Sequence, residues 1–219
     1  MAKRQKSPSN WNRHNAKLRR YERRLFPKKF KLIAGVDEAG RGPLAGPVVA
    51  AAVILKNYSF ANRIFDSKKL SFVKRRDAFR EITRQSFIGI GIIPNLVIDR
   101  VNILQATILA MKQALQALSV SAEFALIDGR FNDGLLPVPY RTVVKGDQLS
   151  LSIASASIVA KVLRDELMSY YSVVYPRYQF SSNRGYYSKA HLRAIRKYGI
   201  TPIHRHSFYP VSKFVKFKR

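Results

Sequence analysis

The sequence predicts an α/β protein with a mixed central sheet flanked by helices, and three observations lead there. Short runs of β-branched and apolar residues, bounded by glycine and proline, come first after residue 31. Apolar residues at helical spacing then alternate with further short apolar runs. A long segment that begins rich in serine and alanine follows, and its small side chains would let a helix approach its neighbour closely. The 219 residues suit one domain with an arm.

Each element is predicted from its own pattern. Gly and Pro bound the first apolar runs, and the predicted strands cover residues 32–36, 48–55, 87–93, 124–127 and, as a candidate edge strand, 140–144. Apolar spacing, caps and breakers define the predicted helices, which cover residues 72–84, 96–118, 149–171 and 191–198. In the basic start, residues 15–25 are expected to be partly helical, with Pro27 ending the helix.

The chain is strongly basic and contains no cysteine. Its 40 Lys and Arg residues against 13 Asp and Glu residues give a net charge of +27. The missing cysteines exclude a disulfide framework, a zinc finger and a thiol nucleophile. Uncharged stretches such as residues 43–55 are shorter than the roughly 18 apolar residues of a membrane span, and the start has no apolar block for a secretory signal. We therefore expect a cytoplasmic protein, monomeric and not bound to membranes.

The distribution of charge predicts three segments and a polyanionic partner. A basic arm covers residues 1–30, a globular domain residues 31–211, including a helical C-terminal part, and a basic tail residues 212–219. Residues 1–31 hold twelve basic side chains and one acid, Glu22. Such a field attracts nucleic acid, and binding should weaken with salt. An anionic membrane is the competing partner, but the arm lacks the apolar face of an interfacial helix. We expect the arm to grip phosphates nonspecifically; the alternative is a disordered extension that does not affect turnover.

Three of the scarce carboxylates lie where predicted strands or turns end. Asp37 precedes Glu38 and a glycine-rich turn, Asp128 ends a buried strand, and Asp147 follows Lys-Gly ahead of the long helix. In open α/β folds the carboxyl ends of strands converge on the site. Carboxylates gathered there raise one another's pKa unless a cation lies between them, and Mg²⁺ and Mn²⁺ prefer oxygen ligands. Two such ions, roughly 4 Å apart, can activate a water and stabilise a leaving oxygen in phosphodiester cleavage.

Each of these acids also has a structural interpretation, which the pattern leaves open. Asp147 could cap its helix, and Asp128 with Gly129 could form a turn. Strict strand alternation sends Asp37 and Glu38 to opposite faces of the sheet. Joint binding of a metal would therefore require Glu38 to lie beyond the end of the strand, which the following glycines permit.

Several uncommon motifs, in one order, resemble those of bacterial ribonuclease HII. The first is AGVDEAGRGPLAGPV at residues 34–48. Later blocks that resemble the family are DSKKL (66–70), NILQAT (102–107), IDG (127–129), KGD (145–147), ASIVAKV (156–162) with RD (164–165), GY (185–186), and HR (204–205) with SF (207–208). The resemblance covers about residues 32–211 and leaves out the arm and the tail. The related ribonuclease HIII type usually carries a separate N-terminal domain, for which thirty residues are too few.

The resemblance implies a ribonuclease H-like fold and a metal-dependent endoribonuclease. Its substrates would be RNA in RNA–DNA hybrids and single ribonucleotides embedded in DNA, cut on the 5′ side by water to leave 3′-hydroxyl and 5′-phosphate ends. Position by position, it assigns catalysis and the binding of Mg²⁺ or Mn²⁺ to Asp37, Glu38, Asp128 and Asp147. It assigns recognition of the ribose 2′-hydroxyl to Gly40, Arg41 and Gly42, and stacking on the neighbouring deoxyribose to Tyr186.

Other polar residues are weaker candidates. Lys68, Lys69, Lys145 and Lys161 could touch phosphates or face water. His191, His204 and His206 are not expected to act as catalysts. Asp165 could support the site, or only pair with Lys161 or Arg164 at helical spacing. A noncatalytic nucleic-acid-binding protein is the alternative function; it accounts for the charge and not for the carboxylates at strand ends.

Overall fold

A five-stranded mixed sheet forms the centre of the molecule. The computed structural model describes residues 10–25, 30–132 and 134–215. The strands are β1 (Ile33–Ala39), β2 (Val48–Leu55), β3 (Ser86–Ile93), β4 (Phe124–Asp128) and β5 (Tyr140–Val143). Their order is β3-β2-β1-β4-β5; β1 pairs antiparallel with β2 and parallel with β4. The pairs β2–β3 and β4–β5 are antiparallel and parallel respectively, so the predicted mixed sheet is confirmed.

Helices cover both faces of this sheet. They are α1 (Asn10–Leu18), α2 (Arg20–Leu25), α3 (Phe72–Gln85), α4 (Asn95–Gln116), α5 (Leu151–Val174), α6 (Phe180–Asn183) and α7 (Lys189–Tyr198). Every strand and helix predicted after residue 31 is present, with its ends shifted by three residues or fewer. Among the described residues, no helix is long and apolar enough to cross a membrane.

The core consists of two layers, one on each side of β2. Every residue of β2 is buried, and its side chains alternate between the layers. Ala51 and Val53 pack against α3 and α5, whereas Ala50 and Ile54 pack against α4. Because the sheet is covered on both faces, it can carry a fully apolar central strand.

Small residues bring α5 close to β1, as the serine and alanine pattern predicts. A Cβ atom on Gly35 would lie 2.0 Å from the carbonyl carbon of Ser152, so only glycine fits beneath this turn of the helix. Ser150 caps the helix, since its side chain accepts a hydrogen bond from the backbone N–H of Ile153. The N-terminus of α5 is therefore held against the strand that carries Asp37.

Two details of the predicted elements were wrong. β1 does not end near Asp37 but continues through Glu38 to Ala39, because β2 pairs with it along that whole length. Glu38 thus lies within the strand and not beyond its end. The second concerns the helix predicted over residues 96–118, which is broken at Asn102, where φ is 68°. The Asn102 side chain accepts hydrogen bonds from the backbone of Leu104 and Gln105, and so caps the second half.

The C-terminal portion is helical, as predicted, and packs beside the segment between β1 and β2. Phe180 and Ile195 are buried there against Leu44 and Met168. His191 and His204 are also buried and lie 3.0 Å apart through their Nε2 atoms, a packed pair.

The predicted segment boundaries are not decided by this fold. Residues 1–9, residues 26–29 with Pro27, and residues 216–219 lie outside the described residues. The described part of the predicted arm forms two helices, interrupted at Arg19, and Leu18 and Leu25 are buried in the domain cores.

Candidate active site

The predicted site residues line one open cavity of about 730 Å³. We call its acidic side the acid wall, which consists of Asp37, Glu38, Asp128 and Asp147. The opposite side, the loop wall, is the segment 40–47 with Tyr186, and it contributes Gly40, Arg41, Gly42 and Tyr186 to the lining. All eight residues proposed from the sequence therefore meet in one place. The remaining lining residues are Ala39, Ser67, Lys68, Ile103, Ser157 and Lys161.

β1 brings Asp37 and Glu38 to the cavity. Its pairing with β4 stops at Val36, whereas its pairing with β2 continues, so the two acids lie where one edge of the strand is no longer paired. Asp37 is buried, and its Oδ1 accepts a 2.7 Å hydrogen bond from the backbone N–H of Glu38. Both acids reach the cavity although alternation separates them.

Asp128 and Asp147 approach the same cavity through a close contact between β4 and the turn before α5. Asp128 ends β4, and its Oδ1 accepts a 2.6 Å hydrogen bond from the backbone N–H of Gly146. A Cβ atom on Gly146 would lie 2.6 Å from the side chain of Ile153 and 3.3 Å from Oδ1 of Asp128. Glycine therefore lets the turn sit against Asp128, which brings Asp147, buried in the next position, beside it.

Burial and like charge raise the pKa values of the acid wall. Burial raises the pKa of Asp37 well above its ordinary value, and the charges of Glu38 and Asp128 add to the effect. Burial also raises the pKa of Glu38 and of Asp128; Arg41 opposes the rise at Glu38. Burial and neighbouring negative charge therefore destabilise the ionised forms of these carboxylates.

Asp147 shows the same effect with a further acid involved. Burial raises its pKa to about 6, and the charges of Asp66 and Asp128 contribute. Asp66 is buried and accepts a hydrogen bond from the backbone N–H of Lys68. It was not among the predicted site residues, although the DSKKL motif in which it stands was singled out. The acid cluster therefore includes one more carboxylate, Asp66, than the four predicted from the sequence.

The acid wall suits a hard divalent cation by its chemistry. Its donors are all carboxylates, which Mg²⁺ and Mn²⁺ favour. Burial makes their ionised forms costly, as the raised pKa values of Asp37 and Asp147 show, and a bound cation would offset that cost. Within the described residues, no three acidic or histidine side chains converge tightly enough in this arrangement to enclose an ion by themselves.

Two buried arginines hold the loop wall from behind. Arg205 donates hydrogen bonds to the carbonyl groups of Gly40, Arg41 and Gly46 at 2.6 to 3.0 Å. Arg164 donates to the carbonyls of Ala45, Pro47 and Arg184 at 3.0 to 3.1 Å. Burial lowers the pKa of Arg164 to about 10 and that of Arg205 to about 9, so both stay charged at neutral pH. Neither arginine was predicted as a site residue.

Three of the four residues predicted to recognise the substrate are exposed, namely Arg41, Gly42 and Tyr186, whereas Gly40 is buried. Tyr186 is 41% exposed, and the guanidinium of Arg164 lies 5.8 Å from the centre of its ring. Arg41 is exposed, with a guanidinium nitrogen 3.5 Å from a carboxylate oxygen of Glu38. An ion pair between the exposed Arg41 and the largely buried Glu38 therefore links the two walls of the cavity.

The weaker candidates from the sequence differ in whether they line the cavity. Lys68 and Lys161 line the cavity, whereas Lys69 and Lys145 are not among its lining residues. Asp165 pairs with Lys161 at 2.8 Å, as one of its two predicted interpretations has it, and with Arg75 at 3.4 Å. His191, His204 and His206 lie outside the cavity lining.

Comparison with known proteins identifies the family and the fold of this chain. The family model described as Ribonuclease HII matches residues 34–211. The fold is similar to that of the ribonuclease H2 from Pyrococcus horikoshii OT3, with 25% identity and a TM-score of 0.69 over 84% of this chain and 97% of that chain. All the cavity residues fall within the matched range, and α1 and α2 fall outside it.

Two further solved structures share the fold. One is the RNase HII of Archaeoglobus fulgidus in complex with PCNA, at 21% identity and a TM-score of 0.59 over 81% of this chain and 95% of that chain. The other is Bst-RNase HIII in complex with Mn²⁺, at 18% identity and a TM-score of 0.64 over 97% of this chain and 75% of that chain.

Proposed function

Because the chain belongs to the ribonuclease HII family, a family of metal-dependent endoribonucleases that act on RNA–DNA hybrids, we propose that it also cuts duplex DNA on the 5′ side of a single embedded ribonucleotide. The products carry 3′-hydroxyl and 5′-phosphate ends. The observation that supports this is the meeting of a carboxylate cluster and a glycine-arginine-glycine turn in one cavity. One wall supplies groups for hydrolysis, and the other supplies groups that can distinguish RNA from DNA.

Asp37, Glu38, Asp128 and Asp147 are the residues that would hold divalent ions, either Mg²⁺ or Mn²⁺. Such ions, when bound, supply the charge that makes water a stronger nucleophile and that stabilises the departing oxygen. The side chains bind such ions in their ionised form, so binding competes with protonation. The Asp147 carboxyl, whose pKa burial raises to about 6, is half ionised near that pH. The glycine contact at residue 146 keeps Asp128 and Asp147 together for this task.

In this proposal the loop wall recognises the ribose of the ribonucleotide. Backbone groups at the exposed Gly42 can approach a 2′-hydroxyl closely because no side chain is in the way, and the hydroxyl is the group that separates RNA from DNA. Gly40 contributes through its backbone conformation, since a Cβ atom there would lie 2.0 Å from Nε of Arg164. The exposed ring of Tyr186 lies next to Gly42, where a Cβ atom would be 3.7 Å from the ring. We assign this ring to the sugar of the neighbouring deoxyribonucleotide.

Water must be the nucleophile for the proposed products. The scissile phosphate lies on the 5′ side of the ribonucleotide, and its other ester oxygen belongs to a deoxyribose without a 2′-hydroxyl. A bond forms between the water oxygen and phosphorus, and the bond from phosphorus to the 3′ oxygen of the deoxyribonucleotide breaks. The ribose 2′-hydroxyl is recognised and not consumed.

The test uses a DNA duplex that contains one ribonucleotide, beside an all-DNA duplex. We expect cutting on the 5′ side of the ribonucleotide with Mg²⁺ or Mn²⁺, and none in EDTA or with the all-DNA duplex. Asp128→Asn should lower the cleavage rate about 10³-fold or more, because it weakens the hold on the ions, while duplex binding survives. Asp77→Asn is the matched control, since Asp77 lies on α3 beside Arg80, away from the cavity lining.

The outcomes separate the candidates. Cutting of long hybrids without cutting at the single ribonucleotide would contradict the proposed specificity. Salt-sensitive binding without any cutting, under either metal, would instead favour the noncatalytic nucleic-acid-binding alternative. Full activity of Asp128→Asn would contradict the metal-site assignment.

A further inference from the structure

The N-terminal helices α1 and α2 are anchored to the domain along one face. Asn15 is fully buried; its side chain donates to the carbonyl of Asn62 at 3.0 Å and accepts from the N–H of Ile64 at 3.1 Å. Leu18 and Leu25 are buried in two different clusters of the core. This face is therefore held by packing and by specific hydrogen bonds, which fixes the orientation of the opposite face.

Glu22 ties the same helices to the turn that precedes α5. It is fully buried, and its Oε1 accepts hydrogen bonds from the hydroxyls of Ser150 and Ser152, both at 2.7 Å, and from the N–H of Ser152 at 3.0 Å. Ser150 stands three residues after Asp147. The helices thus attach to the domain beside the segment that carries one of the cavity's acids.

The opposite face of these helices is cationic. We call it the arm face; its exposed side chains are Lys17, Arg20, Arg23 and Arg24. None of the four forms an ion pair with an acidic side chain in the described part of the chain. Glu22 is the one acid in residues 1–31, and it points away into the core. Four positive charges therefore stand together without a neutralising carboxylate.

We propose that the arm face binds the phosphate backbone of the substrate duplex outside the catalytic cavity. Fixed cations that face solvent gain affinity by releasing counterions from nucleic acid, and a rigid mount reduces the entropy lost on binding. An anionic membrane fits less well, because an interfacial helix needs an exposed apolar face, and Leu18 and Leu25 are already buried. The identity of the duplex rests on the proposed function; the phosphate contact itself does not.

The experiment measures binding and cleavage separately. Binding is measured in EDTA, on a duplex of about 30 base pairs with one ribonucleotide, over a series of salt concentrations. The test variant replaces all four arm-face residues with Gln. The matched control replaces four exposed residues of α3, also one lysine and three arginines, with Gln: Lys74, Arg76, Arg80 and Arg84.

We expect duplex binding by the arm-face variant to depend less steeply on salt than binding by the wild type. The slope of log affinity against log salt changes by about 0.9 for each phosphate contact, so loss of two to four contacts should flatten it by roughly 2 to 4. The slope of the α3 variant should stay much closer to that of the wild type. Both variants should keep the wild-type melting temperature, because all eight side chains are exposed.

An unchanged slope in the arm-face variant, or an equal change in the α3 variant, would overturn the proposal. An unchanged slope together with lost sedimentation on anionic phospholipid vesicles would assign the face to a membrane and also overturn it. Cleavage of the same duplex with Mn²⁺ tests the proposed function independently. A wild type that does not cut but shows the slope difference would refute the proposed specificity and leave the phosphate contact standing.

Discussion

The two walls of the cavity use buried charge in opposite ways. The acid wall holds carboxylates whose pKa values are raised by burial and by one another, so its charge is poorly compensated. Behind the loop wall, Arg164 and Arg205 are as deeply buried, yet their nitrogens donate to six backbone carbonyl groups between them. The carboxylates of the acid wall are destabilised as anions, whereas the arginines behind the loop wall are hydrogen-bonded through every guanidinium nitrogen and hold the loop in place.

This difference suits their proposed tasks. Unmet negative charge on a rigid sheet edge attracts cations, and the free energy that the fold loses there is recovered when ions bind. A loop that must distinguish one hydroxyl group benefits from a fixed backbone. The two walls should therefore respond to substitution in opposite senses, with activity lost and stability kept at the acid wall, and stability lost first at the loop supports.

The largest effect is expected at the acid wall. Asp37→Asn should lower hybrid cleavage about 10³-fold or more, because the side chain lies where the ions are proposed to bind. The metal-free melting temperature should stay the same or rise, since a buried, repelled carboxylate is removed. Steady-state cleavage and thermal melts in EDTA measure both quantities. A large fall in melting temperature would show that Asp37 is structural and break the comparison.

At the loop supports, Arg164 and Arg205, substitution should reduce stability before it reduces activity. Arg205→Met keeps the volume but leaves the carbonyls of Gly40, Arg41 and Gly46 without their donor, which should cost about 2–4 kcal/mol of the free energy of unfolding. The melting temperature should fall by roughly 5–15 °C. Arg193→Met, at an exposed position of α7, is the control and should change stability by about 0.5 kcal/mol or less. Equal stability of the two variants would contradict the support role.

Substitutions at Gly40 and Gly42, the first and last glycines of the proposed recognition motif, should affect folding and recognition separately. Gly40 has φ +100°, and a Cβ atom there would lie 2.0 Å from Nε of Arg164, so Gly40→Ala should cost about 1–3 kcal/mol. Gly42 has ordinary backbone geometry and no neighbour nearer than 3.7 Å, so Gly42→Ala should keep the melting temperature. Gly42→Ala should nevertheless lower cleavage at a single ribonucleotide about tenfold by crowding the sugar beside Tyr186. A Gly42→Ala enzyme with full activity would show that this glycine does not contact substrate.

The acid wall could be predicted from the sequence and the loop supports could not. Asp128 and Asp147 stand at the ends of recognisable elements, and their scarcity in a basic chain made them conspicuous. Arg164 and Arg205 act over more than 100 residues of sequence on backbone carbonyls, which carry no residue identity. Both stand in blocks that resemble the family, RD at 164–165 and HR at 204–205, but in a chain with 40 basic residues composition and spacing do not mark them as buried supports.

The same reasoning applies to two features that the sequence did not indicate, the end of β1 and the burial of Glu22. The end of β1 depends on where β2 stays paired, so Glu38 remained in the strand although the glycine turn follows closely. Glu22 counted as one acid in a charged arm, but tertiary packing buries it against Ser150 and Ser152. Pairing and burial of this kind are properties of the assembled fold and have no local signature.

The smallest effect is a pH-dependent change in stability at Asp147. Its pKa in the folded protein is raised to about 6 from the ordinary 3.8, so the protonated form is favoured by folding. The associated stability is fully present below about pH 4 and is lost as the pH rises through about 6. In EDTA, Asp147→Asn should therefore be more stable than the wild type above pH 6, by about 1–2 kcal/mol after allowance for solvent screening, and equally stable below pH 4.

Thermal melts across this pH range measure the effect, with an expected difference of about 3–6 °C at pH 7.5 that disappears in acid. Asp77→Asn, beside Arg80 on α3, is the control and should show no such gain. With saturating Mn²⁺ the order should reverse, because the ionised wild-type carboxylate can bind the cation and the amide binds it more weakly. A gain that persists in Mn²⁺ would mean that Asp147 takes no part in holding the ion, and would leave Asp37, Glu38 and Asp128 as the acids that do.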